Sequence, residues 1–436
     1  MAVQILFVQS PPTLRQFDYK AAIAWSLYDF ANTGFAMVVL ALIWPQMFHH
    51  VWGVGLDHQT ESIVFKLTQA LPCLIIFFLA PFLGQLAERG RFRAQALRVS
   101  VILGALLTMM LSWVPAQEWF FSALLYAMAA VAFFSASTFY DSMIVDCAPL
   151  GRRHLLSGIA YASGFVAGFL ILILLALGIF SGPHLRWIYL AAGLWWLGFS
   201  VPLLTFSFPR HEPAERITWL SALQSTIATA KELWADERVR WFLCAYIFYI
   251  DGVHAVKTSA AHFGAVLGFG SADLVKAFLV VQVIGIPAAL AFGWLGSRWG
   301  AVRMIVFALF GYVVLTLWGS QISPGNITLA ALTFPSVWLI AGGVGLVQGG
   351  VQALSRSYFA ELVPPGREIV YFGFYSMMGK FAAFLGPLLG AVAGWLFTNA
   401  GDETSTERAG FASFALLFLV GLILLLKTQR AEKPKR

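Results

Sequence analysis

Long apolar runs separated by short polar punctuation dominate the chain. They fall near residues 21–48, 62–86, 95–114, 119–146, 155–180 and 185–208, and again near 240–263, 273–297, 301–320, 327–361, 369–398 and 410–427. A helix crossing a bilayer needs roughly 20 apolar residues, so each run is long enough to span. Membrane β-strands show short alternating segments instead, which these are not. The pattern predicts an all-α integral membrane protein with twelve transmembrane helices. The division that follows is a tail over 1–20, a six-helix bundle over 21–208, a linker over 209–238, a second bundle over 239–428 and a basic tail over 429–436.

The linker is the longest polar stretch. Within it Trp219, Leu223, Ile227, Ala230 and Trp234 recur at spacings of three or four, opposite Glu215, Thr226 and Glu232. That spacing fits an amphipathic helix lying on the inner membrane face. Its plainest role is to connect the two halves.

Composition sharpens this picture. Of 436 residues, 59% are hydrophobic and 11% charged. Soluble domains are about 45–50% apolar and about 25% charged, so a water-soluble enzyme, a disordered chain and a disulfide scaffold are excluded. Cys73, Cys147 and Cys244 lie far apart without metal-ligand spacing and read as buried thiols. The formal charge of +7 is distributed, with Arg89, Arg91, Arg93, Arg152, Arg153, Arg210, Arg298, Arg303 and Arg367 in alternate loops. Short cytoplasmic loops retain Lys and Arg, so both termini are expected in the cytoplasm and the protein in the inner membrane. Charge spread in this way predicts a lipid bilayer as partner and no nucleic acid. The start of the chain lacks a small-residue cleavage site and reads as a tail, not a signal peptide. Without a phosphate-cradling loop or nucleophile elbow, neither an ATP-driven pump nor an enzyme is expected, and no cofactor or metal. A monomer is expected.

The chain also repeats. A shift of 215 residues lays Tyr140-Asp141-Ser142 on Ser355-Arg356-Ser357, and Asp146-Cys147-Ala148-Pro149-Leu150-Gly151-Arg152 on Glu361-Leu362-Val363-Pro364-Pro365-Gly366-Arg367. In the same register Gly158 meets Gly373 and Gly164 meets Gly379. A looser echo pairs Tyr28-Asp29 with Tyr249-Ile250-Asp251. Parallel six-span halves of this kind form rocking-bundle transporters, whose substrate site lies between the halves near the midplane.

Two sets of residues carry a family resemblance. Gly84-Gln85-Leu86-Ala87-Glu88-Arg89-Gly90-Arg91-Phe92-Arg93 is similar to the loop signature of the major facilitator superfamily, with Gly90 one position early and Arg91 where a second glycine is usual. Trp25-Ser26-Leu27-Tyr28-Asp29-Phe30-Ala31-Asn32-Thr33-Gly34-Phe35 resembles the first-helix signature of the vacuole effluxer family, as does Gln348-Gly349-Gly350-Val351-Gln352-Ala353-Leu354-Ser355-Arg356-Ser357. The resemblance implies two pseudo-symmetric six-helix bundles of the major facilitator fold, secondary transport, amino-acid efflux, and a gating role for Glu88 and Arg89. It also implies that spans one, four, seven and ten line the central cavity.

Six charges fall within spans: Asp29, Asp141, Asp251, Lys257, Arg356 and Lys380. An ionisable group in hydrocarbon costs several kcal/mol unless it meets a partner or a watery cavity, so each marks a candidate site. Asn32 and Thr33 share a helical face with Asp29, which is read either as a proton-coupling group or as a fixed ion pair. Gln348, Gln352 and Arg356 form a stripe that suits a carboxylate ligand. Pseudo-equivalence instead sets Arg356 against Asp141 as an inter-half bridge closing the cytoplasmic gate. Lys380 either binds a substrate carboxylate or pairs with Asp251, and His254 is placed to share a proton with Asp251. Lys257 completes the substrate or coupling set. The expected function is movement of a small-molecule substrate, a small polar solute, by alternating access. Amino acids lead by resemblance and protons are the candidate coupling ion. A proton-independent facilitator and a non-transporting sensor or scaffold remain open.

Overall fold

A computed structural model describes residues 18–90, 92–180, 182–206, 219–329, 332–381, 385–397 and 403–431. Among these, eleven helices are long and apolar enough to cross a membrane. The first half holds α1 (Tyr19–Trp52), α2 (His58–Glu88), α3 (Arg93–Trp113), α4 (Trp119–Cys147), α5 (Leu150–Ala176) and α6 (Trp187–Thr205). The linker helix α7 (Trp219–Ala235) follows. The second half holds α8 (Glu237–Val266), α9 (Ser271–Trp299), α10 (Ala301–Ser320) and α11 (Ser336–Leu362), and ends with α14 (Thr404–Gln429). Between α11 and α14, the eleventh apolar run carries two shorter helices, α12 (Glu368–Phe381) and α13 (Leu385–Phe397). Residues 382–384 between them lie outside the described residues, as do most of the two tails.

One boundary differs from expectation. The run read as a single span over 327–361 opens with an antiparallel hairpin of β1 (Asn326–Leu329) and β2 (Leu332–Pro335), and the helix starts only at Ser336. Thr328 pairs with Thr333 in the ladder, their hydroxyls 3.0 Å apart. Hydropathy alone does not separate apolar strand from apolar helix, but Pro335 does: it has no N–H, and its extended backbone precedes the first helical turn.

The helix α1 departs from regular winding. Ala36–Leu42 and Phe48–Trp52 are wound in the wider π form, outside the regular turn that carries Asp29. Such widened turns inside α-helices recur at functional sites.

The linker helix forms where the apolar spacing predicts it. Ala222, Thr229 and Leu233 pack on the protein, while Leu223, Ile227 and Trp234 of the anticipated apolar face stay exposed.

The halves meet along two pseudo-symmetric seams, α5 against α9 and α2 against α12. In each seam glycine brings backbones together. A Cβ on Gly158 would lie 2.6 Å from the Ala289 carbonyl oxygen, and one on Gly373 would lie 2.6 Å from that of Ala80. Gly84 and Gly293 complete the seams against Ile369 and His154. Without a hydrophobic drive between helices in lipid, such close approach is what holds them together. Gly158→Val should therefore destabilise the purified protein by about 1–3 kcal/mol through overpacking. Gly151→Val, where a Cβ meets open space, should change little in the same thermal-unfolding measurement.

Candidate functional site

Arg356 ties the halves together. It projects from α11 and is 3% exposed, among residues of α1, α4 and α5. Its guanidinium donates to Asp29 Oδ2 at 2.9 Å, to Asp141 Oδ1 at 3.2 Å and to Ser157 Oγ at 3.0 Å. The planar group also lies 4.5 Å from the Trp25 ring, 4.6 Å from Tyr161 and 5.4 Å from Tyr140. Trp25 is fixed in turn by its indole N–H, which donates to the Tyr140 carbonyl at 3.0 Å. The asymmetry is chemical: both carboxylates come from the first half and the single cation from the second. A fork of five fixed donors suits this shared arrangement, and the aromatic faces add cation–π attraction.

The repeat register pairs Asp141 with Arg356, and the structure brings them together. Asp29 joins the same guanidinium, so its ion pair is formed and Asn32 reinforces it by donating to Oδ1 at 3.4 Å. Thr33 turns inward on its own helix, its hydroxyl donating to the Asp29 carbonyl at 2.7 Å. Gln348 is buried and Gln352 half-buried on the same helix as Arg356. They stand one and two turns along it, up to about 12 Å away at 1.5 Å per residue.

A second layer of contacts lies where α2 ends and α12 begins. Glu88 contacts the Arg367 guanidinium at 3.2 Å and accepts from the Val370 N–H at 3.2 Å, so the first half caps the start of α12. Arg367 continues to Glu232 at 3.1 Å and to the Thr229 hydroxyl at 2.7 Å, both on the linker helix. Tyr371 donates to the other Glu232 oxygen at 3.1 Å. His154 joins the halves too, 2.8 Å from Ser357 Oγ and 3.2 Å from Glu361. Nearby, Ser157 donates to the Ala353 carbonyl at 2.8 Å and Arg153 to the Ala360 carbonyl at 2.9 Å. Arg93 and Asp146 pair within the first half. The side chain of Arg89 lies outside the described residues.

Two expected pairings are not formed. Lys380 does not reach Asp251: its ammonium lies 3.6 Å from the centre of the Phe134 ring on α4. Asp251 is fully buried, and neither carboxylate oxygen has a side-chain or backbone partner at hydrogen-bond geometry among the described residues. It faces Gly386, where a Cβ would stand 3.3 Å from Oδ1. His254, three residues on, makes no hydrogen bond to Asp251 among the described residues. Lys257, one further turn along, is exposed.

The fold built around these contacts is shared. Two solved structures match it at 16% and 13% identity: the human organic anion transporter MFSD10, with a TM-score of 0.68 over 95% of this chain and 100% of that one, and the proton:xylose symporter XylE, with 0.64 over 94% of each. Both have the major facilitator architecture. Residues 18–435 match the family described as Vacuole effluxer Atg22 like. The chain belongs to this family. The uncharacterised MFS-type transporter YxiO of Bacillus subtilis (strain 168) is 30% identical over 419 residues, covering 92% of this chain and 93% of the relative. Autophagy-related protein 22 of Coccidioides immitis (strain RS) is 27% identical over 325 residues, 68% of this chain and 52% of the fungal protein. The present chain thus spans about half the length of that fungal protein. It is a multi-pass membrane transporter of the major facilitator type.

Ser157, Trp25, Tyr161 and Arg367 are site residues that sequence reasoning passed over. Ser157 has no polar counterpart in the repeat, and Arg367 is already explained as a topology charge. Removing the central cation exposes what it balances. Arg356→Gln leaves two buried carboxylates without their counter-ion, and loss of one partner of such a group costs about 3–5 kcal/mol. Adding Asp29→Asn and Asp141→Asn to the Arg356→Gln variant should recover most of the lost stability in detergent unfolding. A triple variant no more stable than Arg356→Gln would show that the carboxylates are not the source.

Proposed function

We propose that the protein is a secondary active transporter that carries a small polar solute, amino acids or related metabolites, by alternating access with proton coupling. The single observation that supports this reading is the sharing of Arg356 between Asp29 and Asp141 across the two halves. Together with the Glu88–Arg367 and His154–Ser357 contacts, it ties the halves together on the side that carries the basic loops. Opening that side must part the guanidinium from its carboxylates in a poorly solvated interior. Without replacement charges the separation costs several kcal/mol. A proton delivered to Asp29 or Asp141 neutralises the released acid, which gives proton movement a direct hold on the gate. Basic connections at this side support its assignment to the cytoplasm and the chain's placement in the inner membrane. Amino acids as cargo rest on the family name.

The gate makes a separable prediction about Asp29. Asn at this position keeps a hydrogen-bond acceptor for Arg356 but cannot take up a proton. Asp29→Asn should therefore retain solute counterflow in proteoliposomes and lose accumulation driven by a pH gradient. Wild-type accumulation by this variant would remove Asp29 from the coupling mechanism and leave facilitation without protons as the better account.

A further inference from the structure

One face of α4 carries Phe134, Thr138 and Asp141 at spacings of four and three, so the three side chains stand one above another. Each meets the second half. Asp141 takes Arg356, the Thr138 hydroxyl donates to Ser376 Oγ at 2.9 Å, and the Phe134 ring centre lies 3.6 Å from the Lys380 ammonium. Ser376 and Lys380 are one turn apart on α12, so the two helices meet rung by rung, antiparallel and in register. Thr138 is buried, while Asp141, Ser376 and Lys380 are half-buried. The charges at the two ends of this stripe do not cancel locally. At one end two carboxylates share a single guanidinium, an excess of negative charge, and at the other Lys380 has no carboxylate within ion-pair distance among the described residues. An aromatic face offers an ammonium about 0.5–2 kcal/mol, less than the several kcal/mol that isolation within a membrane costs.

Resting on the transport reading above, we propose that Lys380 and Ser376 of the second half, with Thr138 and Phe134 of the first, form a solute site that reads a small zwitterion by its polarity, carboxylate to Lys380 and Ser376 and ammonium toward Asp141. The rise from Phe134 to Asp141 along α4 is roughly 10 Å at 1.5 Å per residue. A charge-assisted hydrogen bond at each end takes about 3 Å of this, which leaves about 4 Å for the two charges of the solute itself. Ser376 accepts from Thr138 and donates its own proton to the carboxylate. Phe134 holds the Lys380 ammonium while the site is empty, and the solute carboxylate replaces that contact. A lone acid satisfies Lys380 but brings nothing to the carboxylate excess at Asp141. A lone amine answers that excess and leaves Lys380 uncompensated. A zwitterion does both, and because the rungs join the two halves it bridges them.

The test uses the full chain, purified for thermal stabilisation and reconstituted in liposomes for counterflow. Each of three zwitterions is set against its acid and its amine: L-alanine with propionate and ethylamine, L-leucine with isocaproate and isoamylamine, and γ-aminobutyrate with butyrate and propylamine. A zwitterion should stabilise and exchange, and bind about ten-fold or more tightly than its acid or its amine, the worth of a charged hydrogen bond. Lys380→Gln should weaken that zwitterion about ten-fold or more, and Ser376→Ala by a smaller factor of about five. Lys380→Arg should retain binding and controls for folding. An acid or amine that binds as tightly as its zwitterion, a Lys380→Gln variant that binds the zwitterion as the wild type does, or a wild type that none of these compounds stabilises overturns the site. Counterflow of a zwitterion that Lys380→Gln leaves unchanged overturns the site and leaves the transport reading standing. Stabilisation by a zwitterion that Lys380→Gln loses, without flux of any compound, supports the site and refutes transport.

Discussion

A guanidinium in a membrane interior can neither shed its proton nor stand alone, and that constraint organises the centre of this molecule. Arg356 is the second half's contribution; Asp29, Asp141, Ser157 and three aromatic rings are the first half's. The first half therefore carries acids that only the other half neutralises. Its α1, α4 and α5 must meet at one point for the cation to be satisfied, so the order of packing within a half follows from a contact between halves. The glycine seams allow the backbones to come close enough for this. With Gly158 and Gly373 in corresponding positions of the repeat, the two seams match in their close backbone approach.

Much of this was legible in the chain. Apolar run lengths gave the spanning helices, because in lipid every backbone polar group must be satisfied within the segment and helix is the simplest solution. The register of the repeat predicted Asp141 opposite Arg356, since residues related by a twofold axis meet when they lie near it. Asp29 was harder. Its echo at Asp251 suggests equal environments, yet one acid shares an arginine and the other is enclosed against Gly386. The halves have diverged where they are chemically active. Sequence symmetry locates such positions without fixing their partners.

Other features escaped for identifiable reasons. The hairpin before α11 is apolar, so its strands merge with the helix in any reading based on hydropathy. Arg367 belongs to a set of basic loop residues that topology already accounts for, and only the folded chain shows it between Glu88 and Glu232. The failed pairing of Lys380 with Asp251 has a different origin. Opposite charges on neighbouring helices pair only when both side chains point into the same space, and Asp251 turns toward Gly386 while Lys380 points at Phe134.

The widened turns of α1 have a consequence for how this helix tolerates change. Below Phe35 the winding is regular, and the positions of Trp25, Asp29 and Asn32 are locked in phase. One inserted residue there would rotate everything beyond it by about 100° and swing part of the arginine's cage to the wrong side. Over Ala36–Leu42 the helix already accommodates surplus backbone. That stretch acts as an expansion joint: a residue gained or lost there shifts the register of the far end of α1 while the charged turn before it holds its aim.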